Sequence, residues 1–524
     1  MNIDMKTTMK HLFQKFFYGV PAAILAGTSL QVAAQEQRPN LLYIFPDQYR
    51  RTALSLWNTP EFRNALNTVA DPVHTPNLNR LARQGAVFTQ VCSTCPMSSP
   101  HRAMLMTGMY PSKNGVIMNC YKGREQGVHE DIVGFTDVLA AAGYETAYVG
   151  KTHWQRTEAL FDKAGNYVGT TEEPGGHYVF DFDTYIPEGR GRKGNKFWFQ
   201  QLIDNHFNAA AYSNQPALVG GKKDGEIHRP HRFTASVEAD VVVDYLKNCD
   251  RQRDASKPFS LFWAINPPHP PYSTLAHCDK EVFDKYYKDL KWDEVLLRKN
   301  VKYGEDTKVK DAEKLLQTAK IYFSLIKSVD DEIGRVLDTL DKEGLSDNTL
   351  VIFASDHGEM LGSHGMLGKG VIYDESLLIP YIIRYPGKLK PQVNDLMFGA
   401  SDIMPTVLGM LGLGDKLPAS VMGTDYSEGI LTGNFSNTPK PLSAFYFMPK
   451  EKGVRTERYT YLVRQDGSFL LFDNQKDPCQ LQTLRLEDIP ASDAALLKSE
   501  LGKWLKVSED DWAKKKMNTD KIIY

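Results

Sequence analysis

The segment from Leu350 to Gly358 reads Leu-Val-Ile-Phe-Ala-Ser-Asp-His-Gly, and this order of residues decides the fold class. Its first five residues have the length and apolar character of a strand that is buried on both faces. Asp356 and His357 follow at once, and both side chains can bind a metal or move a proton. In open α/β sheets, ligands bind at the carboxyl ends of the strands. The segment therefore predicts a buried strand that ends at a functional site.

Three other apolar runs end in the same way. They are Leu41–Phe45 before Pro46-Asp47-Gln48, Thr146–Val149 before Gly150-Lys151-Thr152-His153, and Phe259–Ile265 before Asn266-Pro267-Pro268-His269. Chance explains one polar cluster at a strand end, but four clusters predict one shared site. Because helical patterns alternate with these strands, we predict a layered α/β fold.

A second informative stretch, Ser98 to Gly108, reads Ser-Ser-Pro-His-Arg-Ala-Met-Leu-Met-Thr-Gly. We predict that Ser98 begins a helix, where free backbone N–H groups and the helix dipole favour negative charge. Arg102 lies one turn further along the same face. A nucleophile in this position suits attack on an anionic ester. A Ser-rich turn that caps an ordinary helix is the alternative, and this stretch alone leaves it open.

Composition and the N-terminus restrict the class of protein. The formal net charge is −2, so no strong global field favours nucleic acid or an anionic membrane, and we expect neither as a partner. Three lysines precede an apolar run, Phe16 to Leu30, which is too short for a good membrane span. Small residues follow, which predicts a signal peptide over residues 1–34, cleaved near Ala34. We therefore expect an exported, soluble protein. Six cysteines are too few for a disulfide scaffold.

The rest of the chain divides into three regions. Residues 157–232 are rich in Gly, Tyr and Asn and have weak periodicity, so we predict long loops that select the substrate. A surface insertion without function is the alternative. The candidate substrate contacts in this region are His177, Tyr178, Trp198, His228 and Arg229. Short strands and a final helix follow residue 432, which predicts a small α+β subdomain with an antiparallel sheet over residues 433–524 and a catalytic domain over residues 35–432.

The polar residues at the strand ends indicate the chemistry. Asp47 with Gln48, and Asp356 with His357, offer the oxygen-rich ligands that suit Ca²⁺ or Mg²⁺. A metal at this position would neutralise an anionic substrate. Any one of these residues alone is more simply explained as a loop cap.

Lysines and histidines complete the candidate set. Lys151 and His153 follow the same strand, so we expect both side chains at the same opening of the site. Lys369 lies in a Gly-rich loop whose backbone can approach a ligand closely. His269 lies between prolines that fix its loop, and it can serve as a general acid near neutral pH. A solvated lysine and a packed loop histidine are the simpler alternatives.

From about Arg38 to the C-terminus, the chain resembles the type I sulfatases of the alkaline phosphatase superfamily. Their signature is Cys or Ser, any residue, Pro or Ala, any residue, then Arg, followed by a helix that ends in Thr-Gly. Ser98 through Gly108 fits it. The resemblance implies a large α/β/α sandwich around a mixed central sheet. It also implies that a radical-SAM maturase oxidises Ser98 to formylglycine (3-oxoalanine), and that an exported enzyme in the periplasm of a Gram-negative anaerobe acts on a sulfated carbohydrate.

The same resemblance implies a role for each matched position. The Ca²⁺ ligands would be Asp47, Gln48, Asp356, His357 and residue 98. Many relatives carry Asp where Gln48 stands and Asn where His357 stands, so the metal preference of this chain could differ. Arg102 would steady the formylglycine, Lys151 and Lys369 would clamp the sulfate, His153 would act as base, and His269 would protonate the leaving oxygen. His364 would add a substrate contact near Lys369.

Two other functions remain open at this stage. A phosphate or phosphonate ester hydrolase would use the same nucleophile, metal and lysines, and an unmodified Ser98 would favour it. A non-catalytic sulfoglycan-binding protein would require a broken catalytic set, whereas every matched position in this chain is filled.

Overall fold

The structure is a computed structural model that describes residues 38–121, 124, 126–156, 182–203, 205–510 and 512. The strands are β1 (Asn40–Ile44), β2 (Ala86–Phe88), β3 (Val91–Cys92), β4 (Glu145–Gly150), β5 (Phe197–Gln201), β6 (Ala211–Ser213), β7 (Phe259–Ala264), β8 (Thr349–Phe353), β9 (Tyr381–Arg384), β10 (Gln392–Asn394), β11 (Phe398–Gly399), β12 (Ala444–Met448), β13 (Glu451–Arg455), β14 (Tyr459–Arg464) and β15 (Phe469–Asp473). The helices are α1 (Pro76–Arg83), α2 (Ser98–Thr107), α3 (Pro111–Asn114), α4 (Phe135–Ala141), α5 (Thr234–Lys247), α6 (Lys280–Tyr286), α7 (Trp292–Val295), α8 (Ala312–Lys342), α9 (Asp374–Leu377), α10 (Ala400–Met410), α11 (Ser427–Thr432) and α12 (Ala491–Val507).

The central sheet places the four predicted strand ends side by side. Its nine strands run in the order β10-β2-β9-β8-β1-β7-β4-β5-β6. The neighbours β8, β1, β7 and β4 are parallel, so their carboxyl ends share one edge of the sheet. Antiparallel pairing of β9 with β8 and β2, and of β6 with β5, makes the sheet mixed, as predicted. One edge of the sheet thus collects residues that are distant in sequence.

Helices cover both faces of this sheet. In β1, Leu42 and Ile44 pack into one apolar core, which also contains residues of α1, α5 and α8. Leu41 and Tyr43 point the opposite way, into a second core that contains residues of α2, α4 and α10. This alternation is the period of a pleated strand whose two faces are both buried. The predicted α/β/α sandwich is confirmed.

Helix α2 begins at Ser98, as predicted, and all ten of its residues are buried. Met97 precedes it in extended conformation, and Gly108 ends it with a φ of 64°, a left-handed conformation that suits glycine. Ala103 and Leu105 face the core beneath the sheet, whereas Met104 packs with the C-terminal residues. The helix is therefore enclosed on every side, and its N-terminus carries Ser98.

Strands β12–β15 form a separate antiparallel sheet against α12. The sequence did not predict β13, because Glu-Lys-Gly-Val-Arg lacks an apolar alternation. Pairing with β12 and β14 holds it, and Lys452 lies buried with its Nζ 3.9 Å from the Phe447 ring centre. The fold class predicted for the C-terminus is confirmed, whereas the domain boundary at residue 432 remains a prediction.

The region expected to form only loops contains two strands of the main sheet. Residues 157–181 lie outside the described residues, but β5 pairs in parallel with β4, and β6 pairs with β5. The prediction of loops over residues 182–232 was therefore wrong in part. Phe197 to Gln201 carries an aromatic strand signal that the surrounding Gly and Asn residues obscured. None of the six cysteines, all of which lie in the described ranges, forms a disulfide bond. No helix in those ranges has the length and apolarity needed to cross a membrane.

Candidate active site

Arg102 holds two carboxylates together at the carboxyl edge of the sheet. Its Nε donates to Asp356 Oδ2 at 3.1 Å, its Nη2 donates to Asp47 Oδ2 at 3.0 Å, and its Nη1 donates to the Lys151 carbonyl at 2.8 Å. The side chains of Arg102, Asp47 and Asp356 are all fully buried. One guanidinium therefore links the ends of β1, β8 and β4.

The two carboxylates differ in acidity because their surroundings differ. Burial raises the pKa of Asp47, but the charges of Lys151 and Arg102 outweigh this and hold it well below its usual range. Burial and the adjacent Asp47 charge raise the pKa of Asp356. Like charges this close resist joint ionisation, and a bound cation would relieve that conflict.

Ser98 points directly into this cluster. Its Oγ lies 3.0 Å from His357 Nε2 and donates to Asp47 Oδ1 at 3.4 Å. The other ring nitrogen of His357 lies 3.0 Å from the Gly358 carbonyl, which fixes the orientation of the ring. Burial, and then the Lys369 charge, lower the pKa of His357 well below its usual range. The ring is therefore neutral and can act as a metal ligand.

The donor set fits a divalent cation. One ligand atom each from Asp47, Asp356 and His357 lies within 4.8 Å of the other two, and all three residues are buried. Two carboxylates and a neutral imidazole satisfy a hard or borderline metal. These residues therefore fit the cation that the sequence predicts.

Gln48 lies beside this set, in a pocket of polar partners that the sequence did not reveal. Its Oε1 accepts a hydrogen bond from Lys369 Nζ, and its Nε2 donates to Glu359 and, at 3.3 Å, to the Tyr272 hydroxyl. Glu359 is fully buried. Its position three residues after Asp356 was the only available signal, because acids in loops are common.

The two predicted lysines reach the cluster from different elements. Lys151 follows β4, is fully buried, and donates from Nζ to Asp47 Oδ2 at 2.5 Å. Burial lowers its pKa to about 8. Lys369 comes from the loop after β8, is partly exposed, and also has a pKa lowered by burial. Both can present positive charge to an anionic ligand.

The two predicted histidines face the same charges. His153 is buried, and neither ring nitrogen has a hydrogen-bond partner in the part of the chain that the structure describes. Its φ of 55° is left-handed, and its ring stacks on Tyr121 with centroids 6.0 Å apart. His269 is partly exposed, with Nδ1 2.9 Å from the Pro270 carbonyl. Burial, and then the Lys151 charge, lower both histidine pKa values well below the usual range.

Two predicted substrate contacts, Trp198 and His364, make contacts within the protein. Trp198 is fully buried in β5, with its ring stacked 5.4 Å from that of Tyr148 and the Arg192 guanidinium 5.0 Å from its ring centre. His364 stacks on Tyr373 at 3.8 Å, and its Nε2 lies 3.1 Å from Asn300 Nδ2. We therefore correct the prediction for Trp198, since burial removes it from any surface, whereas half-buried His364 stays a prediction.

The other predicted sugar contacts stay predictions. His228 and Arg229 are half-buried beside β6, where the His228 backbone pairs with Ala211 and Arg229 donates to the Asn208 carbonyl at 2.6 Å. His177 and Tyr178 lie outside the described residues.

Comparison with known proteins gives a consistent result. The Sulfatase family model matches residues 39–413, and a model for the C-terminal part of N-sulphoglucosamine sulphohydrolase matches residues 362–506. The chain is 38% identical over 520 residues to an endo-4-O-sulfatase of Bacteroides thetaiotaomicron, covering 94% of this chain and 97% of that protein.

Solved structures are similar over nearly the whole chain. One was determined for work on the metabolism of multiple glycosaminoglycans by Bacteroides thetaiotaomicron; it has a TM-score of 0.83 and 37% identity, covering 93% of this chain and 100% of that one. A putative sulfatase of Bacteroides fragilis has a TM-score of 0.78 and 28% identity, covering 93% of this chain and 100% of that one.

Proposed function

Because the chain belongs to the sulfatase family, we propose that it hydrolyses sulfate esters on the sugars of a glycan. The arrangement around Ser98 carries the proposal. The Ser98 hydroxyl, at the N-terminus of a buried helix, meets the Asp47, Asp356 and His357 group, and Lys151 joins the same cluster. The relative named as an endo-4-O-sulfatase makes 4-O-sulfated sugars the first substrates to test.

Two groups supplied after synthesis complete the proposed site. A radical-SAM maturase would oxidise Ser98 to formylglycine, whose hydrate would supply the hydroxyl that attacks sulfur. Ca²⁺, or Mg²⁺ in its place, would be held by Asp47, Gln48, Asp356, His357 and residue 98, and would offset the charge of the sulfuryl oxygens.

The chain's own residues bind and orient the ester. Lys151 and Lys369 would bind the sulfate oxygens, since Lys151 pairs with Asp47 and Lys369 donates to the neighbouring Gln48. Arg102 keeps Asp47 and Asp356 in place through its two hydrogen bonds to them. The buried side chains of this set need little reorganisation when the ester arrives.

Two histidines move the protons. His153 is neutral and has no hydrogen-bond partner among the described residues, so it is ready to accept the proton whose removal expels sulfate. His269 would protonate the departing sugar oxygen. Burial, and then the nearby lysine charges, lower its pKa in the free protein, whereas a bound anionic ester would offset the lysine charges and raise it. His269 would therefore gain its proton as the substrate binds.

We also propose that the protein is exported, with residues 1–34 removed as a signal peptide. The segment of lysines, apolar residues and small residues supports this, and a periplasmic location suits an enzyme that meets glycans outside the cytoplasm. Mass spectrometry of the protein from its native host would test the proposed cleavage near Ala34.

A sulfate-release screen tests the activity. Protein coexpressed with a maturase is given singly sulfated isomers of galactose, N-acetylgalactosamine and glucosamine, together with phosphate and phosphonate esters. We expect sulfate release, and a residue-98 peptide that lacks two hydrogens relative to serine. The Ser98→Ala variant, purified in the same way, is the control and should be inactive. Hydrolysis of phosphonate esters alone would contradict the proposal.

A further inference from the structure

The Gln48 amide has one sensible orientation in this fold. Its oxygen faces the Lys369 ammonium, and its nitrogen faces the Glu359 carboxylate and the Tyr272 hydroxyl. The reverse orientation would bring the amide oxygen against the carboxylate and the NH₂ group against the ammonium. Both contacts would then be repulsive. The charged partners on its two sides therefore fix the positions of the amide oxygen and the amide nitrogen.

This polarity matters because Gln48 lies at the metal site of the proposed function. Its backbone N–H donates to Asp356 Oδ1 at 3.0 Å, and its carbonyl accepts from the Tyr322 hydroxyl at 2.7 Å, so the main chain is held as well. An amide can bind a cation only through its oxygen. A carboxylate at the same position would bind through either oxygen and would need no such orientation.

Glu359 is itself tightly held. Its Oε1 accepts the backbone N–H groups of Leu361 at 2.9 Å and Gly368 at 2.7 Å. Its Oε2 accepts from Gln48 Nε2 and, at 2.9 Å, from the Tyr272 hydroxyl. Two main-chain donors fix one oxygen, so the other must face Gln48. The same contacts tie the loop before Lys369 to this carboxylate.

We propose that Glu359 is a positioning residue that fixes the Gln48 amide with its oxygen toward the metal site. The inference rests on the metal site of the proposed function. An aspartate or glutamate at position 48 would bring its negative charge directly to the metal. In this chain, the buried carboxylate of Glu359 carries that negative charge instead, on the far side of Gln48 from the metal site. Glu359 and Gln48 thus act as a pair: the effect of Glu359 on metal affinity depends on which residue stands at position 48.

The pairing makes a sharp prediction for the variant Glu359→Gln. The Leu361 and Gly368 N–H groups would hold the oxygen of the introduced amide, which leaves its NH₂ group facing Gln48. Gln48 would then face an NH₂ group with its own NH₂ group, or reverse and bring that group against the Lys369 ammonium, so neither orientation of its amide would be favoured on both sides. We expect the affinity for Ca²⁺ to fall about 10- to 100-fold, the range found for residues that orient metal ligands.

A double-mutant cycle separates this role from a merely structural one. The second background is Gln48→Glu, which has the same shape but no amide polarity, and in which Glu359 faces another carboxylate. There, Glu359→Gln should raise Ca²⁺ affinity, because it removes a like-charge contact and adds a donor. Ca²⁺ affinity is measured by calorimetric titration of the full-length protein, with near-ultraviolet circular dichroism as the check of folding.

Tyr272→Phe provides a second, milder variant if Glu359→Gln does not fold. It removes one partner of the Gln48 NH₂ group and leaves the carboxylate, so we expect a smaller loss of Ca²⁺ affinity that disappears in the Gln48→Glu background. The inference would be overturned if Ca²⁺ affinity fell equally in both backgrounds or fell in neither. It would also be overturned if the wild-type protein did not bind Ca²⁺. A protein that shows the sign reversal but releases no sulfate would contradict only the proposed function.

Discussion

Arg102 is the residue that joins three of the strand ends at the site. Its three donor nitrogens bind three partners from three strand ends, and it is fully buried. The planar fork of a guanidinium makes this geometry available, whereas a lysine has one compact charge. Sequence spacing predicted Arg102 as a site residue, but it gave no indication that Asp47 and Asp356 were its partners, since they lie 55 and 254 residues away along the chain.

We expect Arg102→Lys to lower the unfolding free energy by about 3 kcal/mol, because it leaves a buried carboxylate without its partner. Urea unfolding in the presence of a chelator measures this. The control is Arg335→Lys, at a pair with Asp240 that is about half exposed, where the loss should be below about 1 kcal/mol. Equal losses at the two positions would contradict the prediction.

The proposed role of His269 predicts a dependence on the leaving group. His269→Ala should slow sulfate release from sugars by about 10²- to 10⁴-fold, because an alkoxide leaves poorly without a proton. Release from a nitrophenyl sulfate should fall far less, because that phenolate leaves unaided. Steady-state rates on both substrates test this, with exposed His231→Ala as the control. Equal losses on the two substrates would argue against His269 as the acid.

His206 predicts a pH effect on stability. It is fully buried, and burial lowers its pKa to about 4, so only the unfolded chain binds a proton between about pH 6.5 and pH 4. The contribution of His206 to the free energy of unfolding is therefore complete above pH 6.5. It decreases as the pH falls toward 4, by up to about 3 kcal/mol. Chemical unfolding of wild type and His206→Phe at pH 7.5 and pH 4.5 measures the difference. If the free energy of unfolding changed equally with pH in the two proteins, the proposed effect of His206 would be ruled out.

At the scale of elements, the strands that carry the site were the most predictable. Leu41–Phe45 is apolar throughout and Phe259–Ile265 contains only one polar residue, a composition that is typical of a strand buried on both faces. Strand β13 was missed because its place between two partners comes from tertiary pairing, with no signal in its own residues. The order of the strands, and hence which clusters become neighbours, likewise depends on long-range pairing.

The turn after β8 predicts a strict requirement for glycine. A Cβ at Gly358 would lie 1.9 Å from the Glu375 carbonyl oxygen, which is backbone and cannot move aside. We expect Gly358→Ala to displace the Asp356–His357 turn, lower the melting temperature and weaken Ca²⁺ binding. The matched control is Gly502→Ala in α12, where a Cβ meets nothing, so a gain of up to about 1 kcal/mol is expected. Normal Ca²⁺ binding by Gly358→Ala would contradict this reasoning.

At the scale of the whole molecule, the C-terminal sheet shares its core with the catalytic part. Tyr110 packs edge-on against Phe445 and Trp504, whose rings are stacked 5.9 Å apart. Met104 of α2 belongs to the same core. Sequence patterns separated residues 433–524 as a subdomain, but they could not show that the two parts share buried side chains.

Trp504→Ala should therefore destabilise the whole molecule. Trp504 is 8% exposed and donates to the Ser443 hydroxyl at 2.8 Å, so the truncation leaves a cavity and should cost about 3 to 5 kcal/mol. We expect sulfate release and C-terminal structure to be lost in the same thermal transition. Activity assays and near-ultraviolet circular dichroism measure the two losses. Exposed Leu442→Ala is the control. Two separate transitions would show that the parts unfold independently.

The enclosure of α2 also sets an order of events. Ser98 is fully buried, and so is every other residue of its helix. The maturase of the proposed function would have to bind the chain around Ser98, so it would act while that segment is still extended, before the sheet and the C-terminal core close over it. A chain that folded first would keep its serine for as long as it stayed folded. Folding would thus set the time available for the proposed oxidation, and the active fraction of the protein would measure how often oxidation came first.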